Sequence, residues 1–305
     1  NAEKTKKGTF CFFTRRALFV KEKITVKKSL LKKIACCACA ATASVVSLAT
    51  FASCETSYPK AEIKVSFEGE TYTLTYELAR KLAPSTVRHF IELADNGFYD
   101  GLCVHDYSTS KWITGGYKQG EDGALEEIKY FDIVQSYKLT PTVWFDKDGK
   151  TPTYTVYGEF SKNDYVVTSG AWKQTLGSIS MYYTDKSSID DKVYVERYDG
   201  GGKSYKSYEY NSATSLFYFY ASDSEVSTEK YCTFGRLDED GTAEFKKLTS
   251  AIADYTSDLG DDGFTEKRSV SANTGDRWAE TPYSSISVNV PKSPIVIESV
   301  KITKY

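Results

Sequence analysis

Ala83-Pro84-Ser85-Thr86-Val87-Arg88-His89-Phe90 and, after five further residues, Asn96-Gly97-Phe98-Tyr99-Asp100-Gly101-Leu102-Cys103-Val104-His105 form the stretch from which the fold is read. Proline is tolerated in a first helical turn because its missing N–H would be unpaired there anyway, so Pro84-Ser85 opens a helix. Val87, Phe90, Ile91 and Ala94 recur at helical spacing, and Asn96-Gly97 closes it. Upstream, Ile63, Val65 and Phe67 alternate onto one face, Gly69 marks a turn, and Tyr72, Leu74 and Tyr76 return, which predicts a β-hairpin. Downstream, a second helix is expected near Thr242 to Asp258, with Phe245, Leu248 and Ile252 on one stripe and Gly260 after its end. Strand-like alternation covers Tyr154-Thr155-Val156-Tyr157, Leu216 to Tyr220 and Ile295 to Ile302. Many strands and two helices imply a mainly β chain, a closed barrel or a sandwich with helical caps.

Composition agrees. The 305 residues are 41% hydrophobic and 26% charged, with 24 tyrosines and only 7 prolines, which excludes collagen-like and disordered chains. His89 and His105 are the two histidines, so a multi-histidine metal centre is ruled out. The net charge of −2 hides a split: residues 1–33 carry eleven Lys/Arg against Glu3 and Glu22, a net +9, which leaves −11 for residues 34–305. That excess repels phosphates and argues against a nucleic-acid partner.

Ile34 to Ser53 contains no charged residue. A basic segment followed by an apolar one is the pattern of a secretory signal. The apolar run ends Leu48-Ala49-Thr50-Phe51-Ala52-Ser53-Cys54, and small residues directly before a cysteine resemble the bacterial lipobox, in which the thiol is acylated. Three readings stand: a cleaved lipoprotein signal, an uncleaved membrane anchor and a buried helix. The first is preferred because Ala, Ser, Thr and Cys insert weakly beside a leucine-rich span. It divides the chain into residues 1–54, a basic region and signal, and 55–305, an extracytoplasmic domain held on the bacterial cell membrane by lipid on Cys54. Met181 is the one methionine, and Val26-Lys27-Lys28-Ser29-Leu30-Leu31-Lys32-Lys33 reads as a signal start if Val26 is an initiator. Cys103 and Cys232 then remain, and a disulfide between them is permitted but not deducible.

Residues 119–150 and 184–213 look like additions. The first runs acidic and turns through Asp146-Lys147-Asp148-Gly149. The second holds a probable hairpin, Lys192-Val193-Tyr194-Val195 and Tyr205 to Tyr210, joined through Gly200-Gly201-Gly202. Gly202-Lys203-Ser204 is half a phosphate loop, but Arg197 occupies the position of its first glycine. Asp258, Asp262 and Gly263 echo a calcium loop whose closing acid falls on Ser269. Cys36-Cys37 and Cys39 sit within the apolar run without further ligands. No cofactor or metal is expected.

Ala83 to Phe90, Asn96 to Gly101 and Val104-His105 resemble the cyclophilin family of peptidyl-prolyl isomerases. The resemblance continues through Gly115-Gly116, Tyr154-Thr155-Val156, Gly158-Glu159-Phe160, Gly177-Ser178-Ile179-Ser180-Met181, Leu216-Phe217-Tyr218-Phe219, Thr233-Phe234-Gly235-Arg236 and Pro294-Ile295-Val296-Ile297. These blocks fall in family order over about residues 61–305. The resemblance implies a closed antiparallel eight-stranded barrel capped by two helices, here with two insertions.

Carried over residue by residue, the family's arginine falls on Asp106 and its glutamine before the paired glycines on Thr114. The pocket phenylalanine falls on Lys111 and the adjacent methionine on Trp112. Leu216, Tyr218 and Tyr231 replace a glutamine, a phenylalanine and a histidine, and Met181 is kept. Lys111, Trp112, Met181, Leu216, Tyr218 and Tyr231 are thus the expected peptide groove, and Asp106 and Thr114 the positions equivalent to the catalytic ones.

Rotation about a peptide bond faces a barrier of about 18–20 kcal/mol. The family resemblance implies that an arginine donor stabilises the twisted imide, without covalent chemistry. A carboxylate only accepts hydrogen bonds, so Asp106 cannot do this. Loss of one oriented donor lowers a rate by roughly 10²–10³. An ion pair between Lys111 and Asp106 would obstruct the groove further. The resemblance therefore implies binding of proline-containing peptides or secreted proteins with isomerisation weak or lost. The alternative is a non-catalytic pseudo-isomerase acting as a protein-interaction or chaperone module through the groove or the tyrosine-rich insertions.

Overall fold

In the computed structural model, residues 56–120, 123–134, 136–163, 165, 170–183, 192–196, 202–207, 213–226, 229–272 and 283–305 are described. The signal and lipobox expectations, with Cys54, lie outside them. Strands β1 (Lys60–Phe67) and β2 (Glu70–Leu78) form the expected hairpin. Glu68 and Gly69 both take positive φ, 50° and 82°, as a two-residue turn matched to strand twist requires. Alternation buries Ala61, Ile63, Val65 and Phe67 on one strand, and Leu74, Tyr76 and Leu78 on the other.

The hairpin lies in a sheet with β3 (Leu102–Cys103), β4 (Asp106–Tyr107), β5 (Lys111–Thr114), β9 (Ile179–Met181), β12 (Phe217–Tyr220), β13 (Thr233–Leu237) and β16 (Val296–Lys304). The nine strands run β3-β16-β1-β2-β13-β9-β12-β5-β4, with antiparallel pairing throughout. The main sheet is therefore open, where a closed eight-stranded ring was expected. The reason is local. The run from Leu102 to Tyr107 divides at Val104-His105, where the Val104 amide donates to Ile295 O at 2.9 Å and the His105 amide to Ile113 O at 3.0 Å.

Helix α1 (Pro84–Asp95) begins at the expected proline and buries Val87, Phe90, Ile91 and Ala94. Its start has no side-chain cap of its own; instead Glu159 accepts the Ser85 amide at 3.1 Å and the Thr86 amide at 2.9 Å. Helix α2 (Tyr130–Ile133) is a single turn. Helix α3 (Glu239–Leu259) starts three residues before the expected Thr242, because Asp238 accepts the Gly241 amide at 2.8 Å as an N-cap. Its buried stripe is Phe245, Leu248 and Ile252, as expected, and it packs on β2 and β13. Beneath α1, Phe90 meets Tyr99, Phe217 and Phe234 at centroid distances of 5.0–5.7 Å. Each such ring contributes about 1.5–3 kcal/mol by leaving water.

The two expected additions share a sheet. Strand β10 (Lys192–Glu196) pairs with β11 (Lys203–Ser207) on one side and β8 (Val143–Trp144) on the other. The second strand of that hairpin occupies 203–207, earlier than Tyr205 to Tyr210. The stretch Tyr154 to Tyr157 is not a strand: Tyr154 turns left-handed at φ 56°, and only Val156 bridges, to Ala213. One further hairpin is not expected from the sequence. Between α3 and β16, strands β14 (Thr265–Ala272) and β15 (Tyr283–Pro291) form a hairpin that packs against β4. Strands β6 (Tyr117–Gln119) and β7 (Leu125–Glu127) make a smaller hairpin beside it. Among the described residues, no helix is long and apolar enough to cross a membrane.

Candidate functional site

Strand alternation sorts the expected groove residues onto two faces. On β5, Trp112 and Thr114 point inward while Lys111 and Ile113 remain half-buried. Trp112 packs on Phe245 at 5.1 Å, on Phe219 at 6.4 Å and on Tyr107 at 5.7 Å. The Thr114 hydroxyl donates to Cys103 O at 2.8 Å, with no exposed surface. Met181 is buried in the main core, and its amide donates to Cys232 O at 3.2 Å. Leu216 is also buried, and its carbonyl accepts the Tyr182 amide at 3.0 Å. Trp112, Thr114 and Met181 therefore serve the interior.

Lys111, Tyr218 and Tyr231 do come together. The Lys111 ammonium lies 5.0 Å from the Tyr218 ring centroid and 4.7 Å from that of Tyr231. Such contacts contribute about 0.5–2 kcal/mol each, more as water is removed. Tyr218 reaches this place because β12 pairs it with Ile113, between Lys111 and Thr114.

Behind Tyr218 is a buried polar cluster that the sequence did not announce. Gln174 Nε2 donates to the Tyr218 hydroxyl and, at 3.3 Å, to Ser180 Oγ, which meets Thr233 Oγ1 at 3.0 Å. Gln174 has no exposed surface, and its Oε1 has no hydrogen-bond partner. Burial raises the Tyr218 hydroxyl above the ordinary phenol range, so it stays protonated. Gln174 follows no motif, and only the pairing of its backbone with Val226 brings it here.

Asp106 sits on β4 opposite Ile113. Its Oδ1 accepts the Asn289 backbone N–H at 3.0 Å and the Asn289 side-chain amide at 3.4 Å. Partial burial raises its carboxyl pKa, and the two bonds from Asn289 act against that rise. Phe264, at the foot of the β14–β15 hairpin, packs edge-on against Tyr107 at 4.8 Å. A Lys111–Asp106 ion pair is absent among the described contacts: Asp106 is held by Asn289 and Lys111 lies against two rings.

The remaining titratable groups are structural. Burial lowers His89 to about 4 and His105 to about 3, so both are neutral at physiological pH. His89 Nε2 lies 2.8 Å from Thr214 O, and the His105 ring stacks on Tyr117 at 4.5 Å. Cys103 and Cys232 are free thiols; burial lifts Cys103 to about 12 and Cys232 well above its ordinary value. Neither is an activated nucleophile. Among the described residues, no three His, Cys, Asp or Glu side chains cluster to hold a metal. What remains partly exposed is Lys111 against two tyrosine rings and Asp106 held by Asn289.

A family model described as cyclophilin type peptidyl-prolyl cis-trans isomerase/CLD matches residues 63–268. Among curated proteins, one from Staphylococcus haemolyticus (strain JCSC1435), named "Putative peptidyl-prolyl cis-trans isomerase", is 38% identical over 55 residues, 18% of this chain and 28% of that protein. A protein of the same name from Staphylococcus aureus (strain USA300) matches at the same 38% over 55 residues. The match thus spans 28% of the length of these relatives. Among solved structures, a cyclophilin type peptidyl-prolyl cis-trans isomerase of Cryptosporidium parvum is similar at 14% identity and a TM-score of 0.41, covering 81% of this chain and 99% of that one. The same protein in the presence of the dipeptide Ala-Pro gives 14% identity and a TM-score of 0.40.

Proposed function

The chain belongs to the cyclophilin-type peptidyl-prolyl cis-trans isomerase family, whose model spans residues 63–268, and we propose that it holds extended peptide segments of secreted proteins in the groove beside β5 while isomerising prolyl bonds weakly or not at all. One observation carries this reading: Asp106, at the position of the family's arginine, is an acceptor already engaged by the Asn289 amide. A group that only accepts cannot donate to a twisting imide. Lys111 adds to the effect, because its ammonium lies against Tyr218 and Tyr231 at the position of an apolar pocket residue. Proline-containing peptides, the ligands of the family, enter the proline pocket itself only by displacing the Lys111 ammonium from the two rings.

The test is a protease-coupled proline-peptide assay beside a peptide titration. The expected result is saturable peptide binding with isomerisation weak or at background, since one missing donor lowers a rate by roughly 10²–10³. Efficient isomerisation by the wild-type chain overturns the proposal.

Exposed aromatics favour a second reading, a non-catalytic interaction or chaperone module acting through the additions. Tyr205, on β11, is 56% exposed, and Phe145, directly after β8, is 39% exposed. Tyrosine-rich surfaces suit recognition. Client binding lost on Tyr205→Ser and unchanged on Lys111→Met selects this reading.

The barrel is proposed to close through Leu102 to Tyr107. Supporting this, β3 and β4 are separated only by Val104 and His105, whose amides bond to Ile295, directly before β16, and to Ile113 on β5, towards opposite ends of the strand order. Slow hydrogen exchange at both amides is expected on closure. The extracytoplasmic location, with lipid on Cys54 as membrane anchor, rests on the sequence pattern of residues 1–54; the mass of the N-terminal peptide of the mature protein tests it.

A further inference from the structure

The Lys111 ammonium carries three hydrogen-bond donors, yet its described contacts are the faces of two rings. Ring faces meet its charge but supply no oxygen acceptor. Asp106, a carboxylate on the adjacent strand β4, is held by Asn289 of β15. The floor under the rings is polar as well, with Gln174, Ser180 and Thr233 bonded behind Tyr218. An apolar proline ring gains little over such a floor, and its approach must displace a cation from two aromatic faces. A carboxylate gains on both counts: it completes the donor set of Lys111 through a charge-assisted bond and leaves the rings in place.

We infer that the groove is specific for a peptide carboxylate, an acidic side chain or a free C-terminus, seated on Lys111 between Tyr218 and Tyr231. This rests on the groove being the peptide site proposed above, and it makes Lys111 the specificity-determining residue. The anion sits on the outer side of the ammonium, and the tyrosine rings fix the lysine so that little side-chain freedom is lost on binding.

The experiment is a calorimetric titration of the full chain with four eight-residue peptides of otherwise identical Ala/Ser sequence. Three are acetylated and amidated, with Glu, Gln or Pro at the fourth position; the fourth has the Gln sequence and a free C-terminus. Tenfold or tighter binding of the Glu peptide over the Gln and Pro peptides is expected if the side chain is the ligand. The same preference for the free-acid peptide identifies the C-terminus instead. Either preference should vanish in Lys111→Met, which keeps an unbranched stem of similar length, and shrink as salt is raised. Equal binding of the Glu, Gln and free-acid peptides, or a preference for Pro, overturns the inference and leaves the groove reading standing. A preference that survives Lys111→Met also overturns it. Failure of all four peptides to bind overturns both.

Discussion

The backbone N–H of Asn289 donates to Asp106 Oδ1 at 3.0 Å, joining residues 183 positions apart. This bond gives the carboxylate on β4 a structural occupation. It also explains why Lys111 turns to Tyr218 and Tyr231 rather than across to Asp106.

Removing the acceptor should therefore cost stability before it changes any rate. Asp106→Ala leaves a partly buried amide without a partner, and the unfolding free energy should fall by about 1–3 kcal/mol. Asp106→Asn keeps an oxygen acceptor and should cost less than about 1 kcal/mol. Urea denaturation of the two variants distinguishes these values; equal losses would show that the Asn289 bond contributes nothing.

Restoring the family's arginine should not be enough. In Asp106→Arg the lysine still covers the two rings, so the protease-coupled rate should stay near background. Asp106→Arg combined with Lys111→Phe supplies both the donor and an apolar pocket, and a rate at least about tenfold above wild type is expected from the donor's usual contribution. A large gain from the single variant would mean that Lys111 is no obstacle.

Much of the scaffold was legible because it is written locally. Pro84 and Asn96-Gly97 bracket α1, Glu68-Gly69 turns the first hairpin, and Phe245, Leu248 and Ile252 mark the buried side of α3. The site was legible only in part. The alignment identified Lys111, Tyr218 and Tyr231, but only strand pairing decides that Trp112 and Thr114 face inward. Asn289 could not be found from the sequence, since its role depends on where the β14–β15 hairpin packs. Gln174 is similar: it reaches Tyr218 across 44 residues.

Acidification should unfold the protein through its two histidines. Unfolded, each titrates near 6.5; folded, burial holds His89 at about 4 and His105 at about 3. Between those values the unfolded chain binds protons that the folded chain refuses. Stability is thus complete above pH 6.5 and is lost as pH falls, by up to about 1.4 kcal/mol per pH unit for each histidine. Asp106 and Glu159, whose carboxyls burial raises, take up protons more readily when folded and flatten the curve in the carboxylate range. Chemical denaturation at a series of pH values should show this slope between pH 6.5 and 5, roughly halved in His105→Phe. An unchanged slope in that variant would refute the assignment.

Gly115 should tolerate no side chain. Its φ is +92°, and an added Cβ would overlap the backbone carbonyl oxygen of Ser215. The Ser215 hydroxyl also donates to Gly115 O at 2.7 Å, fixing the two segments together. Gly115→Ala combines a disfavoured backbone with a clash against main chain, and a loss of more than about 2 kcal/mol is expected in thermal or urea unfolding.

The pairing of β1 with β16 brings Lys60 opposite Lys304, so residues 244 positions apart in synthesis (304 − 60) must zip together. As the polypeptide is synthesised, β1 has β2 on one flank and nothing on the other until the trailing strand emerges. Completion of the sheet is consequently a late event in folding, slowed by the entropy of closing so large a loop. A chain released without residues 296–304 would present two bare strand edges to its neighbours, which is a route to aggregation.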